Sequence, residues 1–485
     1  MSTISPLRVA ASVLLAATLS LAGCAPDLGP KPEIRPLSSF ETERSITAAG
    51  RGEEWPPSQW WRGYNDPQLD GLIEAALADS PDLASAIARV RQARGALQAS
   101  RSSLLPSLGA QGSGEFAKQS YNNGTPSSAL PQGWEDYGTL ALSANWNLDI
   151  WGKNRALLAA ATSATGAALA EVRQAELVLT SEIASSYFDL GRLLEREKVL
   201  EEALEVRESS EELTAKRFEH GLENEVPVRQ ARAEMARARG LIVANREQIA
   251  RRRHALASLL GAGPDRTHDL VPAQLDGIEV TRVPTDAGIA LAGRRPDIVA
   301  ARRIVEASQS GTEYARKSFL PDVSLGGLLG LTSLGISNLF DDGSDYGSAG
   351  AAVSLPIFQG GALSGRYRVA RAGYDSMVAS YNKTVIEALQ EVADAIASRD
   401  SASRQREHAL NVQTEAEAAF ALASQRYGAG LTTYIEVLTS QTSELDARLS
   451  ALDVQFATLA SDIALKRALG GGYAEENDEK ANSDD

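Results

Sequence analysis

Few side chains in this sequence are spaced for chemistry. The four histidines, His220, His254, His268 and His408, are scattered, and none stands at a metal-ligand spacing from another. Neither a G-x-S-x-G nucleophile turn nor a phosphate-cradling P-loop occurs. One residue does have a chemically pointed context. Cys24 is the only cysteine, so no internal disulfide is open to it, and it closes the run Leu21-Ala22-Gly23-Cys24. A thiol preceded by small residues at the end of an apolar run suits processing and covalent acylation. The residues point away from an enzyme, with no catalytic, metal or cofactor site, and toward an anchor.

The residues before Cys24 must deliver it. Arg8 is followed by an uncharged run from Val9 to Ala22. At about 14 residues that run is too short to span a bilayer and right for the core of a signal peptide. The segment closely resembles a bacterial lipoprotein signal, cleaved after Gly23 to leave Cys24 as the acylated first residue. Ala25 and Pro26 follow, not the aspartate that retains such proteins at the inner membrane. The resemblance therefore implies export to the outer membrane of a Gram-negative cell. Loss of Arg8 with the leader leaves 47 basic and 63 acidic side chains, a net charge of −16 that argues against nucleic acid as a partner. No later stretch has 18 consecutive apolar residues, so a membrane crossing would have to be a β-barrel. The tail "EENDEKANSDD" (Glu475 to Asp485) is acidic, of low complexity, and reads as disordered.

Behind the leader the chain writes one long unit twice. "RFEHGLENEVPVRQAR" (Arg217 to Arg232) is echoed by "RYGAGLTTYIEVLTSQ" (Arg426 to Gln441). "SPDLASAIARVRQARGALQASRSSLLPSL" (Ser80 to Leu108) is echoed from Arg295 to Val323, Pro81 matching Pro296 and Pro106 matching Pro321. "NLDIWGK" (Asn147 to Lys153) answers "SLPIFQG" (Ser354 to Gly360), at a spacing that requires a longer loop in the first copy. Each copy predicts a short helix (Pro81 to Leu105; Pro296 to Phe319) and two strands. A long proline-free helix follows (Arg155 to Phe218; Ala362 to Tyr427), then a return helix (Arg229 to Leu260; Tyr434 to Leu469).

Leu140, Leu142, Ala144, Trp146 and Leu148 alternate with Thr139, Ala141, Ser143, Asn145 and Asn147. About ten such residues suit a tilted membrane strand, with a soluble half-buried hairpin as the alternative. The strands expected are Ser107 to Phe116, Thr139 to Leu148, Asp322 to Leu331 and Gly347 to Leu355. A helix of the long kind would reach nearly 100 Å at about 1.5 Å per residue. Val199, Val206 and Leu213 recur every seven residues, with Leu193 and Leu200 on an adjoining row, which predicts a coiled-coil seam. Gly221 and Gly430 stand where the long helices must end, in the left-handed cap role of glycine. Acidic residues from Glu195 to Glu212 would face arginines from Arg229 to Arg253 across the first hairpin. Each short helix plus a return helix equals about the length of the long one, so the short pair is expected end to end beside it. Four strands cannot close a barrel, since small barrels need about eight, so the chain requires further copies.

At this point the sequence resembles the outer membrane factor family, the TolC-like and OprM-like channels of tripartite efflux and type I secretion. The resemblance runs from "WWRGYNDPQLDGLI" (Trp60 to Ile73) to "KRALGGG" (Lys466 to Gly472), with "RRPDI" (Arg294 to Ile298), the duplicated unit and the tip motif as carriers. The lipoprotein signal and "RRPDI" resemble the lipoprotein (NodT-type) branch used with resistance-nodulation-division pumps. It implies a mixed α and β fold, a long helical barrel continuous with a transmembrane β-barrel, four strands per chain and twelve per homotrimer. Its implied organisation is a leader (1–23), a lipidated N-terminal and equatorial segment (24–66), a first repeat (67–262, β-hairpin 107–148), a connecting segment (263–286), a second repeat (287–472, β-hairpin 322–355) and an acidic tail (473–485).

The resemblance further implies a periplasmic gate at Ile435, Glu436 and Thr439, with Glu436 forming an acidic, cation-favouring ring. Arg217, Gly221, Leu222, Arg426, Tyr427, Gly430 and Leu431 would form the hairpin tips that meet a periplasmic adaptor. The other implied partners are an inner-membrane pump and outer-membrane lipid, with Cys24 as the anchor. A type I secretion channel, or a periplasmic coiled-coil scaffold lipoprotein, is the alternative reading. Three departures bear on the latch: Thr439 stands where relatives often have Asp, Thr432 where TolC-like members have a latching Arg, and Pro227 where Asp is frequent. Glu223 and Glu225 are the acids left nearby.

Overall fold

The computed structural model describes residues 25–475 apart from 50, 51, 53, 123 and 272–280. Cys24, the leader, part of the connecting segment and the tail from 476 onward lie outside the described residues. The helices and strands run α1 (Pro67–Asp79), α2 (Pro81–Ser102), β1 (Ser107–Ala117), β2 (Glu135–Leu148), α3 (Lys153–Glu219), α4 (Glu225–Leu259), α5 (Ala287–Arg294), α6 (Pro296–Lys317), β3 (Asp322–Leu334), β4 (Asp345–Ser354), α7 (Ala362–Gly428) and α8 (Tyr434–Ala468). The order from α2 to α4 recurs from α6 to α8, and matching helices have equal lengths: 22, 67 and 35 residues. That equality is what one unit written twice requires. The described residues form two compact units, the first from 25–34, Val90–Ala168 and Ala301–Tyr381, the second from Arg35–Arg89, Leu169–Ala300 and 382–475.

The first unit contains the sheet. Its strands lie in the order β1-β2-β3-β4, every pair antiparallel. The register puts Leu108 opposite Ala144, Leu142 opposite Ala110 and Leu329, Trp146 opposite Leu325, and Val323 opposite Val353. Period-two alternation then gathers these residues onto one face. The other face carries Ser107, Gln111, Ser113, Thr139, Ser143, Asn145, Ser324, Thr332 and Ser348. Leu108, Leu142, Leu329 and Val353 are exposed. Gly330 permits close strand approach: a Cβ there would lie 2.6 Å from the Leu140 carbonyl oxygen. Among the described residues β1 pairs only with β2 and β4 only with β3, so both outer edges keep a row of backbone groups with no partner strand there.

In the second unit an aromatic core gathers Trp60, Trp61, Tyr64, Leu69 and Ile73 with Ile183, Tyr187 and Phe188 of α3, Leu256 of α4 and Ile463 of α8. At its centre is a buried ion pair. Lys466 Nζ lies 2.9 Å from Asp462 Oδ2 and 3.9 Å from the centroid of the Tyr64 ring. Asp462, 1% exposed, also accepts from the Tyr64 hydroxyl at 2.8 Å and the Thr281 amide at 2.7 Å. Burial and the neighbouring Asp462 carboxylate push the Tyr64 phenol well above its usual range.

The short helices begin where the return helices stop. Gly261, after α4, is so close to the start of α2 that a Cβ would meet the Asp79 carbonyl oxygen at 2.7 Å. Gly470, after α8, stands tighter still against the Arg294 carbonyl, just before α6. Both glycines have positive φ, at 66° and 87°. The "RRPDI" motif gains its reason here: buried Arg295 reaches Asp297 (2.6 Å), Glu391 of α7 (2.8 Å) and the Ala468 carbonyl at the end of α8 (2.9 Å).

The expected seam of α3 forms in part: Leu193 and Leu200 are buried and Val199 packs against the Leu200 core, but Val206 and Leu213 do not join it. The buried row of α3 is Leu193, Leu200, Arg207 and Thr214, while Val206 and Leu213 stay exposed. Leu200 packs against Ile242 of α4 and Leu445 of α8 together. A shift of one residue turns a helix by about 100°, so the adjoining row is the one that meets both neighbours.

Asp462→Ala would leave the Lys466 ammonium buried without its counter-charge. It is expected to lower stability by about 3–5 kcal/mol, read as a fall in the melting temperature of the detergent-purified protein.

Candidate functional site at the hairpin turns

Both long helices end in the same local structure. At the first turn the Gly221 amide donates to the Phe218 carbonyl (2.9 Å) and the Leu222 amide to the Arg217 carbonyl (2.8 Å). At the second, Gly430 donates to Tyr427 and Leu431 to Arg426, each at 2.9 Å. With φ of 71° and 74°, the two glycines complete Schellman caps, which satisfy the last carbonyls of a helix. The chain restarts at Asn224, whose side chain accepts from the Val226 amide at 2.9 Å, and Pro227 falls in the first turn of α4, where a missing N–H costs little.

Charges then align α3 with its neighbours. Arg232, Arg239 and Arg246 of α4, seven residues apart, meet Glu211 (2.8 Å), Glu208 (2.9 Å) and the pair Glu197 and Glu201 (2.5 and 2.8 Å). Arg448 of α8 meets Glu202 at 2.5 Å, and Arg192 meets Asp453 at 2.7 Å. Exposed pairs of this kind contribute about 0.2–1 kcal/mol each, so they set register more than stability.

Tyr427 joins the two hairpins. It is 2% exposed and belongs to a small core with Ala231, Ala423, Tyr434 and Val437. Its hydroxyl donates to Glu223 Oε2 at 2.7 Å. The Arg217 guanidinium lies 4.9 Å from its ring centroid and donates from Nη1 to its carbonyl at 3.3 Å. Two residues of the first turn thus hold one tyrosine of the second. Burial first, then the Glu223 bond, pushes the Tyr427 phenol up, so it stays a protonated donor. With proline at 227, the acid comes from the turn itself.

Ile435, Glu436 and Thr439 lie together on the exposed side of the first turns of α8, while Tyr434, Val437 and Gln441 face inward. Thr432 Oγ1 donates to Glu436 Oε2, and Thr439 Oγ1 to the Ile435 carbonyl at 2.8 Å. Arg426, Gly221, Leu222, Gly430 and Leu431 are all exposed, the two leucines as apolar tips. Thr432 therefore bonds within its own hairpin rather than across hairpins.

A second group behind the tip had no sequence signal beyond an arginine on an acidic stretch. Arg207, 4% exposed, stands 3.8 Å from Glu234, which Arg237 also approaches at 2.5 Å. Arg207 Nε and Nη1 and both polar atoms of Gln441 have no hydrogen-bond partner among the described residues. Burial, with Glu234 nearby, pushes the Tyr434 phenol up to about 12. Among the described residues no group of three His, Cys, Asp or Glu side chains is placed to hold a metal ion.

Paired helical hairpins on the same chain as a half-apolar sheet with two open edges define a channel-forming protein of the outer membrane. The family profile described as outer membrane efflux protein matches residues 72–262 and 290–471, and the chain belongs to that family. It is similar to the multidrug resistance outer membrane protein MdtP of Shigella flexneri, 30% identical over 476 residues, 95% of this chain and 96% of that one. The MdtP of Escherichia coli K12 is 29% identical over 472 residues, with the same coverage. Among solved structures, the outer membrane protein VceC of Vibrio cholerae superposes with a TM-score of 0.81 at 38% identity, covering 86% of this chain and 100% of that chain. The outer-membrane channel OprN gives a TM-score of 0.83 at 28% identity, covering 92% and 99%.

Tyr427→Phe and Glu223→Ala each remove the bond between the turns, about 1.5–3 kcal/mol for a hydrogen bond to a charged group. Faster hydrogen exchange at amides around Gly221 and Gly430 is expected from either, with no further increase in the double variant. The Tyr434 contribution runs the other way from an acid-sensitive site. Folding favours its protonated form, so that stability is complete below pH 10 and is lost as pH rises through about 12. Tyr434→Phe should lessen the alkaline loss in a pH-dependent melt, leaving the part that the Tyr64 and Tyr427 phenols contribute.

Proposed function

We propose that this chain is the outer-membrane channel subunit of a tripartite efflux system. It is a homotrimer working with a periplasmic adaptor and an inner-membrane pump of the resistance-nodulation-division class. The observation that carries this reading is the sheet. One face is apolar and exposed, the other carries mostly small and polar residues with Tyr137, Leu328 and Tyr346 among them, and two edges have no partner strand among the described residues. In lipid an open edge leaves several kcal/mol of unmet hydrogen bonding per group, so the edges must pair with those of other copies. Three copies close twelve strands. A coiled-coil scaffold would have no use for the apolar row Leu108, Leu142, Trp146 and Leu329.

Residues 1–23 serve as the leader, and Cys24 carries the acyl chains that tether the N-terminus to the inner leaflet. The exposed tips Leu222 and Leu431, with Arg217, Gly221, Arg426, Tyr427 and Gly430 shaping the two turns, supply the adaptor contact. Ile435, Glu436 and Thr439 line the periplasmic gate, Ile435 as an apolar constriction and Glu436 as an acidic ring. The grip of Glu223 and Arg217 on Tyr427 holds that gate closed. The work is conduction rather than catalysis, and the names of the MdtP relatives point to drugs among its cargo.

Two experiments test this. Thr432→Cys, with Cys24 acylated, provides the only free thiol at the tip. Crosslinking from it in intact cells should capture an adaptor encoded with a proton-driven pump. Capture of an adaptor from an ATP-driven exporter would reassign the channel to secretion, and capture of neither would overturn the placement of the tip. Glu436→Ala should reduce cation over anion selectivity in planar-bilayer recordings, and unchanged selectivity would remove Glu436 from the gate.

A further inference from the structure

We propose that Arg371 is a positioning residue that sets the reach of the acylated N-terminus, holding the lipid anchor level with the base of the sheet. The inference rests on the reading that Cys24 carries the lipid.

Arg371 sits in α7 and is only 5% exposed, unusual burial for a guanidinium. Its Nε donates to Asp375 Oδ1 at 2.7 Å. The rest of the fork is spent on backbone: Nη1 donates to the Gly29 carbonyl at 3.4 Å and Nη2 to the Pro30 carbonyl. A buried charge is tolerable only while its hydrogen bonds are met, so the guanidinium favours a state in which this N-terminal stretch is docked. Gly29 has φ of 75°, and its amide donates to Asp27 Oδ1 at 3.0 Å, turning the chain just before the clamp. Lys31 then lies over the Tyr374 ring at 5.9 Å and 3.9 Å from Glu313 of α6.

The direction follows from these contacts. Rising residue number leads from Arg371 to Tyr374, away from the start of α7, so the residues before Gly29 head back toward Ala362 and the sheet. From Ala362 to Arg371 the helix rises about 14 Å. From Cys24 to Gly29 the chain spans at most about 17 Å when extended. The turn at Asp27–Gly29 shortens the span below that maximum, so the two lengths agree with less than about one residue of slack. With the clamp closed, a chain of this length before Gly29 can reach no farther than about the level of Ala362, at the start of α7.

The test shortens the spacer in the full-length lipoprotein by deleting Asp27 and Leu28, which keeps Ala25 and Pro26 for sorting. Three residues then cover about 10 Å, short of the level required. Labelling with an alkyne palmitate should remain at the wild-type level, while heat-stable trimers in the outer-membrane fraction fall by about fivefold or more. Adding Arg371→Met should restore trimers, because a released segment regains slack, and a Gly-Ser insertion at the same place should have no effect. A full trimer yield from the deletion, or no rescue by Arg371→Met, would overturn the proposal. So would failure of Arg371→Met alone to assemble, which would make the contact a folding requirement only. Absence of palmitate label on the wild-type chain would remove the lipid reading itself, whereas a labelled chain indifferent to the deletion would remove the clamp alone.

Discussion

Every backbone N–H and C=O that enters hydrocarbon must find a partner within the protein, and that requirement governs this molecule. A sheet of four strands meets it internally for β2 and β3 and leaves β1 and β4 half satisfied. The chain cannot resolve this alone, because four strands of this length do not curl onto themselves. Closure has to come from copies, and the duplicated unit follows the same economy: one strand pair and one helical hairpin, written twice, halve the number of copies needed to close a ring. The apolar row around Leu142 and the small residues opposite it are the composition that such closure allows.

Away from the sheet, stability and movability are divided between two kinds of charge. Asp462 and Lys466 are sealed among aromatic rings, with Tyr64 and the Thr281 amide completing the carboxylate's shell. Separating such a pair is costly, which suits a place that ties the N-terminal segment, the connecting segment and α8 together. At the turns the charged groups are more accessible, and each is worth less. The Tyr427 contact depends on one carboxylate and one guanidinium, strong enough to favour one arrangement and weak enough to be exchanged for another. Arg207 behind the tip, with two nitrogens lacking a partner among the described residues, is a buried charge only partly met.

Local pattern made much of this architecture legible. Helix lengths, strand order within each copy and both glycine caps follow from period, proline position and the need for positive φ, all of which a short window of sequence contains. The duplication was visible because two copies must solve the same local problems with the same residue types. Contacts across hundreds of residues were not legible. Nothing near Glu223 marks it, rather than Glu225, as the partner of Tyr427; that choice depends on where two caps place their side chains. The same holds for Arg295 with Glu391 and for Asp462 with Tyr64, whose partners lie far apart in sequence. The seam of α3 shows the limit most clearly. Both heptad rows carry apolar residues, and only the positions of α4 and α8 decide that Leu200 is buried while Val206 is not. Sequence by itself determined which elements form and that they come in two copies, because those depend on neighbours in the chain. Tertiary structure alone decided which faces meet, because a helix offers several faces of similar composition and packing selects among them.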